Sequence, residues 1–397
     1  MIRFTELLHG EGTVSKILKH REKDPSCIPS RYLAFSEQRR PLIFWNLTGR
    51  CNLSCSQCYI NAAEKQQVSE LSTSGALHIV DEAVACRTPL LMFSGGEPLL
   101  RPDFWKILEH ATSRGVRVAV SSNGILVTRD VAERLKDSQV GYVGISLDGA
   151  RASTHDAARG LKGSFDEAIR GLRNCVDLGV KCGVRFTATK DNFREVPELL
   201  DLTQRLGIPR FCLYWLVPSG RGRDLYRKRR LGKDEISWVL SRLYESAQNS
   251  DPEKIEILTV DAPQDGAYIL DRLEEESPSR HDRAEEILEC IGDTCSAGDR
   301  ILNIDPEGNI YPCQFAQLES LKVGNLREGS LTEIWNDPAK SVLSSMRSKV
   351  NRLKGKCGKC VHRKICTGGC RVRAYFESGD LWAEDPMCIS YRAETEV

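Results

Sequence analysis

Cys51-Asn52-Leu53-Ser54-Cys55-Ser56-Gln57-Cys58-Tyr59 follows directly on an apolar run at residues 42–47. Three thiolates spaced C-x3-C-x2-C match three corners of a [4Fe–4S] cube, and no fourth cysteine follows at close spacing. Structural clusters take four cysteines. A triplet therefore leaves one iron for a ligand from outside the protein and points to chemistry there. Two other readings of a tight triplet stay open: a zinc site completed from elsewhere, and part of a disulfide framework.

Working outward, the apolar run before the triplet reads as a buried strand. So do the runs at 90–93, 116–120, 140–147, 184–188 and 211–217. Helical periodicity fills the intervals 74–86, 102–114, 128–136, 165–178 and 196–206. Gly115, Gly179 and Gly207 each fall just past one of these helices, where a left-handed cap is needed. This alternation predicts an α/β fold of right-handed parallel βαβ units. Six repeats over residues 42–225 suit a partial (β/α)6 TIM-type barrel, with its site at the carboxyl ends of the strands. The triplet follows strand one, and Ser94-Gly95-Gly96-Glu97-Pro98 follows strand two. Ser121-Ser122-Asn123-Gly124 follows strand three, and Gly144-Ile145-Ser146-Leu147-Asp148-Gly149 ends strand four. All should converge at one mouth.

Around this barrel, residues 1–41 form a charged N-terminal extension with His9 and His20, and Phe4-Thr5-Glu6-Leu7-Leu8 predicts a short helix. Residues 226–285, opening on Arg227-Lys228-Arg229-Arg230, read as a helical linker covering the barrel mouth; residues 286–397 form a cysteine-rich module. The 397 residues are 41% hydrophobic with net charge +1, enough for a sizeable core and too balanced for a nucleic-acid-coating protein. No signal-peptide core or transmembrane run is present, so a cytosolic location with no membrane partner is expected. Sixteen cysteines are then unusual, because cytosolic disulfides are rare. Eleven fall in the triplet and in the tail from Cys290, a clustering that favours metal binding and an anaerobic or microaerobic cell. Of the rest, Cys86, Cys175, Cys182 and Cys212 lie in or beside apolar stretches, as small buried hydrophobes do.

The triplet and the Gly-Gly-Glu-Pro string, in this order on successive strands, resemble the radical S-adenosylmethionine (SAM) superfamily. That resemblance implies a [4Fe–4S] cluster on Cys51, Cys55 and Cys58, with SAM on the open iron. It further implies that Gly95, Gly96 and Glu97 meet the SAM amino group, and that Tyr59 flanks the adenine. Ser122, Asn123, Ser146 and Asp148 become candidates for ribose and methionine contacts, and Arg185 for the SAM carboxylate. His155-Asp156 with Arg159-Gly160 resembles a recurrent loop of the family, read as structural. The implied reaction is reductive cleavage of SAM to methionine and a 5′-deoxyadenosyl radical, fed by a low-potential donor such as flavodoxin or ferredoxin.

The tail is equally patterned: Cys290-x4-Cys295-x17-Cys313, then Cys357-x2-Cys360-x5-Cys366-x3-Cys370-x17-Cys388, with a hairpin signal at Glu307-Gly308-Asn309. It resembles the SPASM extension of radical SAM enzymes, which holds one or two auxiliary [4Fe–4S] clusters. Matching positions assign Cys290, Cys295, Cys313 and Cys370 to the first, and Cys357, Cys360, Cys366 and Cys388 to the second. A pair of zinc ribbons is the competing reading.

For substrate, four stretches resemble the didecarboxysirohaem deacetylases and the related enzymes of d-type haem synthesis. They are Phe35 through Cys51, Arg185-Phe186-Thr187, Leu216-Val217-Pro218-Ser219-Gly220-Arg221-Gly222, and Val323-Gly324-Asn325-Leu326-Arg327-Glu328. The resemblance implies a tetrapyrrole substrate with radical attack at acetate side chains. Arg221, Arg223, Arg227, Lys228, Arg229, Arg230 and Lys233 are cations that could meet its carboxylates, and Tyr214 and Trp215 flat surfaces that could stack on it. The full set Cys290, Cys295, Cys313 and Cys370 departs from that group and resembles SPASM enzymes that modify peptides or proteins.

Overall fold

The computed structural model describes residues 1–10, 12, 40–65, 69–291, 295–337 and 339–393; His20 and Cys27 lie outside them. Six predicted strands form: β2 (Leu42–Thr48), β3 (Leu91–Gly95), β4 (Val118–Ser122), β5 (Tyr142–Ser146), β6 (Cys182–Ala188) and β7 (Arg210–Trp215). They pair in sequence order, all parallel, with Ile43 opposite Leu91, Leu91 opposite Val118 and Val184 opposite Phe211. The crossover helices Thr73–Ala85, Phe104–Ser113, Arg129–Asp137, Ser164–Asp177 and Val196–Arg205 bury their apolar faces against them. Trp45, Phe93 and Phe104 interlock edge to face in that core, at centroid distances of 5.7 and 6.1 Å. Gly115, Gly179 and Gly207 take the left-handed conformation their positions require.

Residues 226–285 depart from the expected helical linker. Within them Glu256–Val260 forms β8, parallel to β7. Its aliphatic and β-branched residues are buried while flanking charges dominate the stretch, which is what masked the strand in the sequence. The helix Lys233–Asn249 packs on Val196–Arg205 and on Phe4–His9, in the outer helix layer and not over the mouth. The chain start also belongs to the barrel. Ile2–Arg3 (β1) pairs antiparallel with β8, and Phe4, Leu7 and Leu8 of the predicted short helix are buried. His9 bonds the Ala247 carbonyl at 2.9 Å.

On the other edge, Ile301–Ile304 (β9) runs parallel to β2 and continues through Asn309–Tyr311 (β10) to Gly324–Asn325 (β11), both antiparallel. The predicted hairpin turn is held by Asp305, whose carboxylate accepts from the Glu307 and Asn309 amides at 2.9 Å. The cysteine-rich tail thus extends the barrel's own sheet, in the order β1-β8-β7-β6-β5-β4-β3-β2-β9-β10-β11. Among the described residues no helix is long and apolar enough to cross a membrane.

Candidate active site

The carboxyl ends of β2 and β3 are locked together before any ligand is considered. A Cβ on Gly96 would stand 2.0 Å from the Arg50 carbonyl oxygen, and one on Gly95 2.5 Å from that of Thr48. Only glycine lets the Gly96 and Glu97 amides donate to the Thr48 and Arg50 carbonyls, each at 2.8 Å. The paired glycines therefore serve the close approach of two loops as well as facing the mouth. Glu70 completes the turn by accepting from the Thr48 hydroxyl and the Gly49 amide.

An open cavity of about 1070 Å³ lies at this end. Cys51, Cys55, Cys58, Tyr59, Gly95, Gly96, Ser122, Asn123, Ser146 and Arg185 all line it. Glu97 and Asp148 do not. Both are fully buried behind the wall and organise it. Glu97 accepts from the Ser122 hydroxyl, the Asn123 amide at 2.8 Å and the Leu99 amide; burial nevertheless pushes its carboxyl up to about 7. Asp148 pairs with Arg159 at 2.5 Å and accepts from Gln57 and from the Thr187 amide. His155 accepts from the Asp148 amide at 3.0 Å, and burial with the nearby Arg159 lowers it to about 3, so it is a neutral structural ring.

Each cysteine of the triplet has a donor to its sulfur. The Asn123 Nδ2 lies 3.8 Å from Cys51, Arg159 Nη1 3.6 Å from Cys55, and the Ala62 amide 3.4 Å from Cys58. Burial pushes the Cys51 thiol up to about 12 and raises Cys55 as well. Buried thiols of this kind lose their protons to a metal, and hydrogen bonds to the sulfurs then set the potential. Among the described residues no fourth cysteine and no histidine lines the cavity, and no described cysteine is bridged. That fits an iron–sulfur cluster with one open position, and fits neither closed zinc nor a disulfide framework.

Arg185 donates through Nε to the Tyr214 hydroxyl at 2.9 Å and through Nη1 to Ser121. It faces no carboxylate within ion-pair distance among the described residues, so its charge is available to an anionic ligand. The Tyr59 hydroxyl bonds Asn46 and Ser94, and its ring meets Phe315 edge to face at 5.6 Å.

In the tail, Cys357, Cys360, Cys366 and Cys388 line one cavity of about 780 Å³. Cys295, Cys313 and Cys370 form a second group: burial raises the Cys313 thiol and nearby Cys370 and Cys295 raise it further, while burial raises Cys370 with Cys295 adding to it. Cys290 is buried at the end of the helix Pro278–Ile291, in the main core. Between the two groups sits a buried ion pair, Arg373–Asp385 at 2.8 Å, with Asp385 also accepting from the Cys370 amide.

The radical SAM superfamily model matches residues 45–203, and the SPASM iron-sulfur cluster-binding domain model residues 295–361. Fe-coproporphyrin III synthase of Methanosarcina barkeri is 35% identical over 99% of this chain and 98% of its own. This chain belongs to the radical SAM superfamily. Pre-heme d1 synthase of Dinoroseobacter shibae is 35% identical over 90% of the chain and 88% of its own length. Mycofactocin maturase MftC of Mycobacterium tuberculosis is 32% identical over 88% and 83%. Among solved structures, Streptococcus suis SuiB bound to S-adenosylmethionine shares the fold at TM-score 0.68 and 20% identity, covering 88% of this chain and 78% of that one. As a radical SAM enzyme with a SPASM domain, the protein binds a [4Fe–4S] cluster, SAM and auxiliary iron–sulfur clusters.

Gln314 and Phe315 of this radical SAM site escaped sequence reasoning, and Arg221, read there as a cation for substrate carboxylates, is engaged elsewhere. Arg221 donates to the Cys55 and Ala62 carbonyls at 3.0 and 2.7 Å and so holds the triplet loop. Gln314 and Phe315, next to Cys313, reach into the barrel cavity from the tail. Most of the basic stretch is otherwise engaged: Arg223 and Arg227 lie over Phe376, Arg229 pairs with Asp191 and Arg230 with Glu377.

Proposed function

We propose that this radical SAM enzyme acts in haem biosynthesis, removing or remodelling acetate side chains of a sirohaem-derived macrocycle. The observation that carries this reading is the end-to-end likeness to Fe-coproporphyrin III synthase, at 35% identity over 99% of the chain. When bound, the cluster and SAM supply one-electron cleavage of SAM and a 5′-deoxyadenosyl radical.

The chain's own residues do the positioning. Cys51, Cys55 and Cys58 hold the cluster while Asn123, Arg159 and the Ala62 amide donate to its thiolates. Gly95 and Gly96 present bare backbone to the SAM amino group, with Glu97 holding Ser122 and Asn123 at the adjoining strand end. Arg185 receives the SAM carboxylate, Tyr59 flanks the adenine, and Ser122, Asn123 and Ser146 face the ribose and methionine. Asp148 acts behind the wall, fixing Arg159 against Cys55. Tyr214, Trp215 and Phe315 give the cavity apolar surface for a flat macrocycle and keep water from the radical. Cys290 completes the first auxiliary site with Cys295, Cys313 and Cys370; Cys357, Cys360, Cys366 and Cys388 hold the second. A low-potential carrier such as flavodoxin or ferredoxin supplies the electron.

A second reading, a peptide or protein maturase, is supported by the full cysteine set of the first auxiliary site and by the likeness to mycofactocin maturase. Mass spectrometry of an anaerobic reaction with SAM, dithionite and didecarboxysirohaem separates the two. Loss of acetate mass together with 5′-deoxyadenosine is the expected result. Deoxyadenosine with an unchanged macrocycle would overturn the haem reading and favour a peptide.

A further inference from the structure

Residues 347–364 carry eight Lys and Arg residues and no Asp or Glu, in a chain whose net charge is only +1. This stretch contains Cys357 and Cys360 of the outer tail site. Some of its cations are spoken for: Lys349 is buried, and Lys354 pairs with Asp380 at 2.6 Å. Lys359 and Lys364 are exposed, and neither has an ion-pair partner among the described residues. Uncompensated cations around a metal site keep their field for something that approaches from solvent.

The same rim carries apolar surface. The described chain has four exposed large hydrophobic residues, and two of them are here: Val361 at 44% and Tyr391 at 39%. They share a face because the Val361 amide donates to the Arg392 carbonyl at 3.0 Å and Cys360 bridges to Ala393. The Lys356 ammonium lies 5.7 Å over the Tyr391 ring. One exposed carboxylate, Glu384, also lines the site and accepts from the Lys356 amide at 2.7 Å, so the edge carries an excess of positive charge and not charge of one sign alone. An apolar centre edged by such an excess is how charge-steered protein interfaces are built. Cys357 and Cys388, which line the site beneath, are themselves only partly buried.

We infer that this rim is the docking surface for an acidic one-electron carrier protein, seated on Val361 and Tyr391 and steered by Lys359 and Lys364. The contact passes one electron from the reduced carrier to the cluster held by Cys357, Cys360, Cys366 and Cys388. No bond is made or broken and no proton moves. The inference rests on the carrier named in the proposed function and is independent of the substrate.

The test is the dissociation constant of an acidic flavodoxin for the cluster-loaded enzyme, by calorimetry at 50 and 300 mM salt. The wild type should bind at low salt and weaken about tenfold at high salt, as screening shortens the reach of the charges. K359E/K364E should bind about tenfold more weakly at low salt and lose most of the salt dependence, while K359R/K364R binds as the wild type. Iron content and dithionite-driven 5′-deoxyadenosine formation should be unchanged in both. An unchanged flavodoxin affinity in K359E/K364E at normal iron content would overturn the inference. So would wild-type enzyme that ignores flavodoxin yet turns over with dithionite, a result that leaves the radical SAM assignment intact. Displacement of flavodoxin by a DNA duplex at equal concentration would also overturn it, in favour of a nucleic-acid surface. If K359E/K364E fails to load iron, K359Q/K364Q should show about half the loss in affinity.

Discussion

The barrel mouth and the outer tail site hold cysteines in opposite ways. At the mouth, three sulfurs each take a hydrogen bond from a separate element and share a cavity with Arg185, Ser146 and the two glycines. In the tail, four sulfurs come from one short span plus Cys388 and enclose a smaller space at the surface. Four thiolates close a cluster, whereas three leave a position that only a ligand can fill. The number of cysteines thus separates a site for chemistry from one for storing or passing electrons. The surroundings follow suit, with a deep wall of positioned donors in one case and an exposed basic rim in the other.

Breaking the mouth should have the largest effect. Cys55→Ala should cut 5′-deoxyadenosine formation to below about one-thousandth of wild type; chromatographic quantification at an unaltered rate would refute the site. Cys360→Ala should remove about four irons per chain while leaving SAM binding within about twofold. Iron analysis showing full loading would contradict the tail assignment. Next comes the wall of the mouth. Arg159→Met strips the partner from a fully buried Asp148, at a cost of about 3–5 kcal/mol, visible as a lowered Tm.

The smallest effect concerns Glu97, whose carboxyl titrates at about 7 because burial outweighs its hydrogen bonds. The folded protein keeps that proton where the unfolded chain has lost it. The stabilising contribution is complete below about pH 4.5 and disappears as the pH rises through about 7. On the order of 3 kcal/mol goes with it. Glu97→Gln should lack this slope in a series of thermal melts from pH 5 to 8, and parallel profiles would contradict the account.

The same contrast explains what the sequence made legible. Cysteine spacing is local, so the triplet and the tail pattern could be read directly, as could β2–β7, whose apolar runs stand clear of their flanks. β8 was hidden because Asp251, Glu253 and Lys254 precede it and Glu256 interrupts its apolar run. Arg159 and Arg221 meet Cys55 from 104 and 166 residues away, and no spacing announces such contacts. Nor does anything local reveal that Phe315, two residues past a tail cysteine, packs on Tyr59 at the barrel mouth. Glu97 and Asp148 were visible as motif residues, but their retreat behind the wall depends on the whole barrel closing around them.

The central claim is that SAM binds the open iron of the triplet's cluster. Electron paramagnetic resonance of the reduced enzyme, with and without SAM, tests it most directly in wild type and Cys55→Ala. SAM should shift one cluster signal in the wild type; that signal should be missing from Cys55→Ala, whose remaining signals should ignore SAM. A SAM-sensitive signal that survives in Cys55→Ala would place the open iron in the tail and contradict the account.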